Sequence, residues 1–255
     1  MTVLITNDDG ISSPGMHALA RAIAAVVPVA VVAPEHERSA TGHAITLHKP
    51  LRALRATIPG VDAPTWATNG TPADCVVLGV LDLLLERPEV VVSGINVGPN
   101  MGGDLTYSGT VSGAMEGAIM GIPSIAVSVA AEGDARFDVA AEVAVRLVEI
   151  VRRHGLPPDT LLNVNVPNLP RSQVRGVAAT RQGLQRYINR LDKRRDPRGR
   201  TYYWLGGERE PAPDVEGTDS WAVQQGMVSV TPIQMNMTAQ GVLETLGRLL
   251  HDVRL

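Results

Sequence analysis

The stretch TVLITNDDGISSPGMHALARAI, residues 2–23, decides the fold. Its first five residues are apolar or β-branched throughout, the pattern of a strand buried on both faces, and Asn7-Asp8-Asp9-Gly10 then reads as a tight turn. Ser13-Pro14 follows as N-cap and first helical residue, and Met16, Leu19, Ala20 and Ile23 fall on one helical face. A strand with no polar side needs cover above and below. The segment therefore reads as the first unit of a parallel sheet with helices on both faces.

The same alternation continues outward. Residues 28–33 (PVAVVA) make a second strand, closed by Pro34. Thr71-Pro72 opens a helix with Cys75, Leu78 and Leu81 to Leu85 apolar, and Pro88 ends it. Val90-Val91-Val92 forms a third strand that meets Gly94 and a Gly-rich loop over 94–109. A helix over about 110–120, a strand over 124–129, a helix over 138–153 and a strand over 161–166 complete the series. Residues 1–170 thus form an α/β, Rossmann-like, doubly wound core with a mostly parallel sheet. Beyond Pro167 and Pro170 the alternation stops. Strand-like pieces VRGVAAT (174–180), RTYYWLG (200–206) and GMVSVTP (226–232) precede a terminal helix near 238–251. Residues 171–255 read as a C-terminal β-hairpin and helix extension, packed on the core or reaching to a partner chain.

Composition bounds the function. A chain of 255 residues, 44% hydrophobic, supplies a core for one large domain or a domain with a lobe. Only 3% are aromatic, so aliphatic side chains fill the interior. A net charge of −3 argues against a nucleic-acid polymer as partner, because such binding needs clustered positive charge. The longest apolar runs, 23–33 and 75–85, are shorter than the roughly 18 residues of a membrane span. Met1 is followed by apolar residues without a basic leader, and a cytoplasmic location is expected. Cys75, the single cysteine, has no internal partner and sits in the apolar ADCVVLGV, as a core thiol does.

Polar residues collect at the strand ends. In open parallel sheets ligands bind beyond the carboxyl ends of the strands, where strand order reverses. Asp8 and Asp9 follow the first strand, Ser39 the second and Asn96 the third. Adjacent carboxylates in a cleft repel, and a divalent cation relieves them. An all-oxygen set of two carboxylates, a hydroxyl and an amide carbonyl suits Mg2+ or Mn2+ better than Zn2+. Spacing alone serves a plain Asx turn at NDDG equally well. Within SGINVGPNMGGDLTYSGTVSGAMEG (93–117), Gly94, Gly98, Gly102 and Gly103 allow close backbone approach, and Ser108-Gly109-Thr110 lies at a helix start. Such a start is an anion site, or simply a capped helix. Neither GxGxxG nor a P-loop is present. His36, Arg38, His43, His48 and Lys49 are candidate anion ligands without zinc spacing. Residues 181–200 carry eight basic against two acidic residues, a local balance of +6 that leaves −9 elsewhere.

Together VLITNDDG (3–10), APEHERSATGHAIT (33–46), NGTPADCV (69–76), VVSGINVGPNMGGDLTYSGTVSGAMEGA (91–118) and VSVTPIQMNMT (228–238) resemble the SurE family, the survival-protein nucleotidases. The resemblance implies a Rossmann-like domain whose C-terminal extensions build a homodimer or homotetramer. It implies a divalent-metal-dependent phosphomonoesterase acting on nucleoside 5′- and 3′-monophosphates, with some members releasing phosphate from polyphosphate. By motif, Asp8, Asp9, Ser39 and Asn96 would hold one Mg2+ or Mn2+, and Asn100, Ser108, Gly109 and Thr110 the phosphate. The family pattern of Leu, then Asp-Leu-Thr, is replaced here by Ile233 and Asn236-Met237-Thr238, so no carboxylate stands at 236.

The chemistry expected is attack by a metal-activated water, with Asp8, Asp9 and Asn96 catalytic and Asp8 positioning or deprotonating that water. A rival makes Asp8 a covalent nucleophile. Two other classes stay open. A non-catalytic nucleotide or phosphate sensor would use the same loops, and a glycosyltransferase would use the same acids but needs a sugar-nucleotide pocket that the sequence does not display. The expected partners are small nucleoside monophosphates, with neither a nucleic-acid polymer nor a membrane.

Overall fold

The computed structural model describes residues 2–184, 187–209, 215–251 and 253. Strand β1 (Val3–Thr6), helix α1 (Pro14–Ala24) and strand β2 (Val29–Pro34) form the opening unit, with β1 and β2 parallel in the register Val3↔Val29. Short strands β3 (Ala53–Arg55) and β4 (Thr65–Thr68) extend this side, in a region where no element is predicted. The reason is their length. Four residues such as TWAT carry too little alternation to stand out.

Helix α2 (Pro72–Leu78) starts on a capping box between Thr71 and Asp74. It is shorter than the helix predicted from Thr71 to Pro88, because Gly79–Leu83 winds as a π-helical turn and Leu84 is already extended. Leu81 and Leu85 are exposed, so the apolar run does not all face the core. Strand β5 (Val90–Val97) runs five residues past the predicted end at 92. Its register against β6 (Ser124–Ala130) shifts between Gly94 and Asn96, a bulge that only glycine permits: at φ 140°, a Cβ on Gly94 would lie 2.3 Å from the Val127 carbonyl oxygen. Helix α3 (Gly109–Ile119), helix α4 (Asp138–His154) and strand β7 (Thr160–Pro167) lie where the sequence predicts them.

Next come β8 (Val177–Ala179), the antiparallel hairpin β9 (Tyr187–Arg195) and β10 (Thr201–Arg209), α5 (Asp219–Gln224), β11 (Val228–Gln234) and α6 (Leu243–Leu250). The main sheet has the order β3-β4-β2-β1-β5-β6-β7-β11-β8. Strands β4, β2, β1, β5, β6 and β7 are parallel, whereas β3 and β11 join antiparallel to their inner neighbours. This is the Rossmann-like, mostly parallel architecture expected, with a separate two-stranded hairpin. Strands β8 and β11 hydrogen-bond into the main sheet itself.

Alternate residues of β1 feed opposite layers. Val3 and Ile5 pack with Met16, Leu19 and Ile23 of α1 and Val148 of α4, whereas Leu4 joins Cys75 and Val76 of α2. On that second face, Val111, Ala114 and Met115 of α3 cover Ala126 and Leu161. Connections leave β1 toward β2 and later return to β5 on its other side. The strand order therefore reverses between β1 and β5, and a crevice opens at their carboxyl ends.

Ile125 of β6 is fully buried, so Ile125→Ala removes packed atoms and leaves a cavity; urea unfolding should show a loss of about 2–5 kcal/mol. Val26→Ala, at a half-exposed turn position, should stay within about 0.5 kcal/mol of the unmodified protein.

Candidate functional site

The turn after β1 is built by Asn7, not by the carboxylates. Asn7 is fully buried and donates from Nδ2 to the Gly10 carbonyl at 3.0 Å and to Ser13 Oγ at 2.9 Å. Ser13 in turn caps α1, accepting from the Met16 N–H at 3.2 Å. The turn is thus tied by the Asn7 amide donor, which leaves Asp8 and Asp9 to face the crevice. The loop after β2 is tied to the same point by the Arg38 N–H, which donates to the Asp8 carbonyl at 2.7 Å.

Asp8 is 4% exposed and lies under the start of α3. Thr110 donates to its carboxylate from Oγ1 and from the main-chain N–H. Gly109 is pressed against the same side chain: a Cβ there would lie 2.7 Å from Asp8 Cβ. Burial nevertheless pushes the Asp8 carboxyl above its ordinary range. Asp9 is pushed up to about 6, first by burial and then by the charges of Asp8 and Glu37. Both carboxylates are held where their ionised forms lack solvent, and a cation beside them removes that cost.

The other two predicted metal residues converge on this point. The bulge in β5 brings Asn96 to the cleft, where its Nδ2 donates to the Gly98 carbonyl at 2.7 Å. A carbonyl accepts only, so this bond fixes the amide orientation and leaves Oδ1 as the available atom. Ser39 lines the cleft from the opposite loop and donates to Glu37 at 2.7 Å. Asp8, Asp9, Ser39 and Asn96 line one open cleft of about 540 Å3. Among the described residues no three Asp, Glu, His or Cys side chains gather as a metal cluster. The set is instead two carboxylates with a hydroxyl and an amide oxygen, a fit for a hard ion.

The predicted phosphate residues divide into two groups. Asn100 and Ser108 line the cleft, whereas Gly109 and Thr110 stand behind Asp8. Ser108 is also the N-cap of α3, accepting from the Val111 N–H at 3.0 Å, so the plainer capping role holds for it as well. Asn100 is fixed from β6 and β7. Its Nδ2 donates to Ser128 Oγ at 2.8 Å, its N–H to Asn165 Oδ1 at 2.8 Å, and its carbonyl accepts from Asn163 and Asn165. Asn163 and Asn165 are not among the residues predicted from sequence; two amides inside the buried run LLNVNVP are the available signal. Glu37, Asp104 and Tyr107 also line the cleft without being predicted.

The basic candidates lie outside the lining. Arg38 donates to the Asn69 carbonyl, His43 meets Glu116 at 2.8 Å, and His36, His48 and Lys49 are exposed. Cys75 is fully buried with its thiol pushed up to about 12 by burial, an inert core group as expected. No helix among the described residues is long and apolar enough to cross a membrane.

The model of the family "Survival protein SurE" matches residues 3–189. A "5'-nucleotidase SurE" of Moorella thermoacetica is 52% identical over 250 residues, covering 98% of this chain and 96% of its own. One from Heliobacterium modesticaldum is 53% identical over 247 residues, covering 97% of this chain and 91% of its own. Among solved structures, the SurE protein of Aquifex aeolicus superposes with a TM-score of 0.83 at 45% identity, over 98% of this chain and 99% of that one.

The raised Asp9 pKa has a thermodynamic sign. The folded, metal-free protein holds a proton to about pH 6 that the unfolded chain releases near 3.8, so Asp9 lowers stability as pH rises through this window. Thermal melts in EDTA from pH 5 to 8 should show a flatter decline for Asp9→Asn than for the unmodified protein. Added Mn2+ should raise the melting temperature of the latter and move that of Asp9→Asn far less.

Proposed function

The chain belongs to the SurE family of survival proteins, and from that premise we propose that it is a divalent-metal-dependent phosphomonoesterase hydrolysing nucleoside monophosphates to nucleoside and phosphate. The observation that carries this reading is the desolvated pair Asp8 and Asp9 beneath the start of α3, facing a cleft walled by Asn96, Asn100 and Ser108. Relatives covering nearly the full chain carry the name 5′-nucleotidase, which supports nucleoside 5′-monophosphates as substrates. The family resemblance extends the proposal to 3′-monophosphates and to polyphosphate ends.

Asp8, Asp9, Ser39 and Asn96 would hold Mg2+ or Mn2+. When bound, that ion supplies charge neutralisation for phosphate and acidity for water. The protein's own groups do the rest. Asn100 and Ser108 hydrogen-bond phosphate oxygens, and the positive end of α3 favours the charge that grows on them. Asp9 and Asn96 orient the reacting groups by holding the acidic side of the cleft. Asp8 accepts the proton of the attacking water. Its carboxylate is pinned by two donors from Thr110 and backed by Gly109, which favours a base over a mobile nucleophile. Gly109 and Thr110 thus serve the phosphate indirectly, through Asp8.

Residues 171–255 are proposed to assemble a homodimer or homotetramer. Helix α6 buries none of its own residues and exposes Leu243, Leu246, Leu249 and Leu250. Light scattering of a protein ending at residue 242 should give a smaller assembly than the full chain. An unchanged mass would remove α6 from the interface.

Phosphate release from a panel of nucleoside 5′- and 3′-monophosphates should require Mg2+ or Mn2+ and stop in EDTA. Asp8→Asn should lower kcat by about 10²–10⁴, the usual contribution of a positioned base. Nucleotide binding with no release under any metal would make the cleft a sensor instead.

A further inference from the structure

Asp219 is fully buried, and it lies beyond residue 189, where the family match ends. Its carboxylate accepts three main-chain N–H groups. Gly102 donates to Oδ2 at 3.0 Å, and Gly183 and Ser220 donate to Oδ1 at 2.9 and 2.7 Å. Ser220 is its neighbour in α5, but the other two come from elsewhere. Gly102 lies in the loop between Asn100 and Asp104, two residues that line the cleft, and Gly183 stands at the root of the β9–β10 hairpin. Gln182 completes the clasp by donating from Nε2 to the Gly102 carbonyl at 2.7 Å.

Both main-chain groups of Gly102 are therefore held by side chains from the C-terminal segment. Two residues earlier, both main-chain groups of Asn100 are held in the same way by Asn165. Met101 between them is extended, at φ −130° and ψ 157°. The wall is thus bound like a short piece of strand whose partner is assembled from side chains. The residue types match their tasks. Asn165 pairs with an N–H and a carbonyl, which needs a donor and an acceptor together, whereas three converging N–H groups need the acceptor-only carboxylate of Asp219. A loop fixed by such bonds is in place before phosphate arrives, which cuts the cost of ordering its ligands.

We propose that Asp219, with Gln182, is a positioning residue for phosphomonoester hydrolysis: it fixes the Asn100–Ser108 wall and joins that wall to the root of the hairpin. The inference rests on the phosphomonoesterase reading and adds to it a residue that does not touch the substrate. Asp219→Asn is nearly isosteric and keeps one acceptor oxygen for Gly183 and Ser220, but sets an amide N–H2 against the Gly102 N–H.

Kinetics of the full-length protein with Mn2+ and a nucleoside 5′-monophosphate test this, together with competitive inhibition by inorganic phosphate and Mn2+ titration. Displacing the wall should lower kcat and raise the phosphate inhibition constant, each by about 10- to 100-fold, while Mn2+ affinity stays unchanged. Gln182→Met, at an exposed position, removes only the donor to the Gly102 carbonyl. It should shift both quantities in the same direction by less, and it keeps the test open if Asp219→Asn folds poorly. If kcat falls only in proportion to folded protein and the inhibition constant stays put, the residue serves stability alone and the proposal fails. Unmodified kinetics in both variants would overturn it too. Absence of release from the unmodified protein would instead count against the phosphomonoesterase reading.

Discussion

Two adjacent carboxylates at the end of a central strand constrain everything around them. Asp8 is withdrawn from water and Asp9 partly so, and their repulsion adds to the cost of burial. Nothing in a mainly aliphatic sheet offsets this, so the surroundings must. Helix α3 starts directly over Asp8. Its positive end and the two donors of Thr110 meet the carboxylate, and the missing side chain at Gly109 lets the helix come that close. The sheet order opens the crevice where these groups lie, and the bulge in β5 turns Asn96 into it. The proposed phosphate-processing cleft with a hard cation would give this burial a purpose.

Local pattern made much of this legible. Apolar strands, Ser13-Pro14 and Thr71-Pro72 as helix starts, and the clustering of Asp8, Asp9, Ser39 and Asn96 at strand ends are features of a few neighbouring residues, and all four side chains line one cleft. What escaped depends on distant partners. The bulge at Gly94 exists because Val127 lies beside it, so no reading of 90–97 alone extends β5 past residue 92. The hydroxyl of Thr110 is spent on a residue 102 positions away, which sequence spacing does not encode. Asn165 and Asp219 act on the wall across 65 and 117 residues. Their only local trace is a polar side chain in a segment that folds into the interior.

The C-terminal segment has more than one relation to the core. Strand β11 continues the main sheet beside β7, and α5 reaches the cleft wall through Asp219. The hairpin stands apart from that sheet, with Tyr202 and Trp204 exposed among Arg190 and Arg194. The +6 balance of residues 181–200 thus falls largely on this separate ribbon, while the acidic pair lies in the body. A near-neutral total charge conceals two regions of opposite character.

On the proposed reading, Asp8 and Asp9 are buried together to hold a hard cation against phosphate. Anomalous diffraction from crystals soaked in Mn2+ with inorganic phosphate tests it most directly. One peak is expected in the cleft, within coordination distance, about 2 Å, of oxygens from Asp8, Asp9 and Asn96, with phosphate against Asn100 and Ser108. A cleft without Mn2+, or Mn2+ bound away from both carboxylates, would contradict the account.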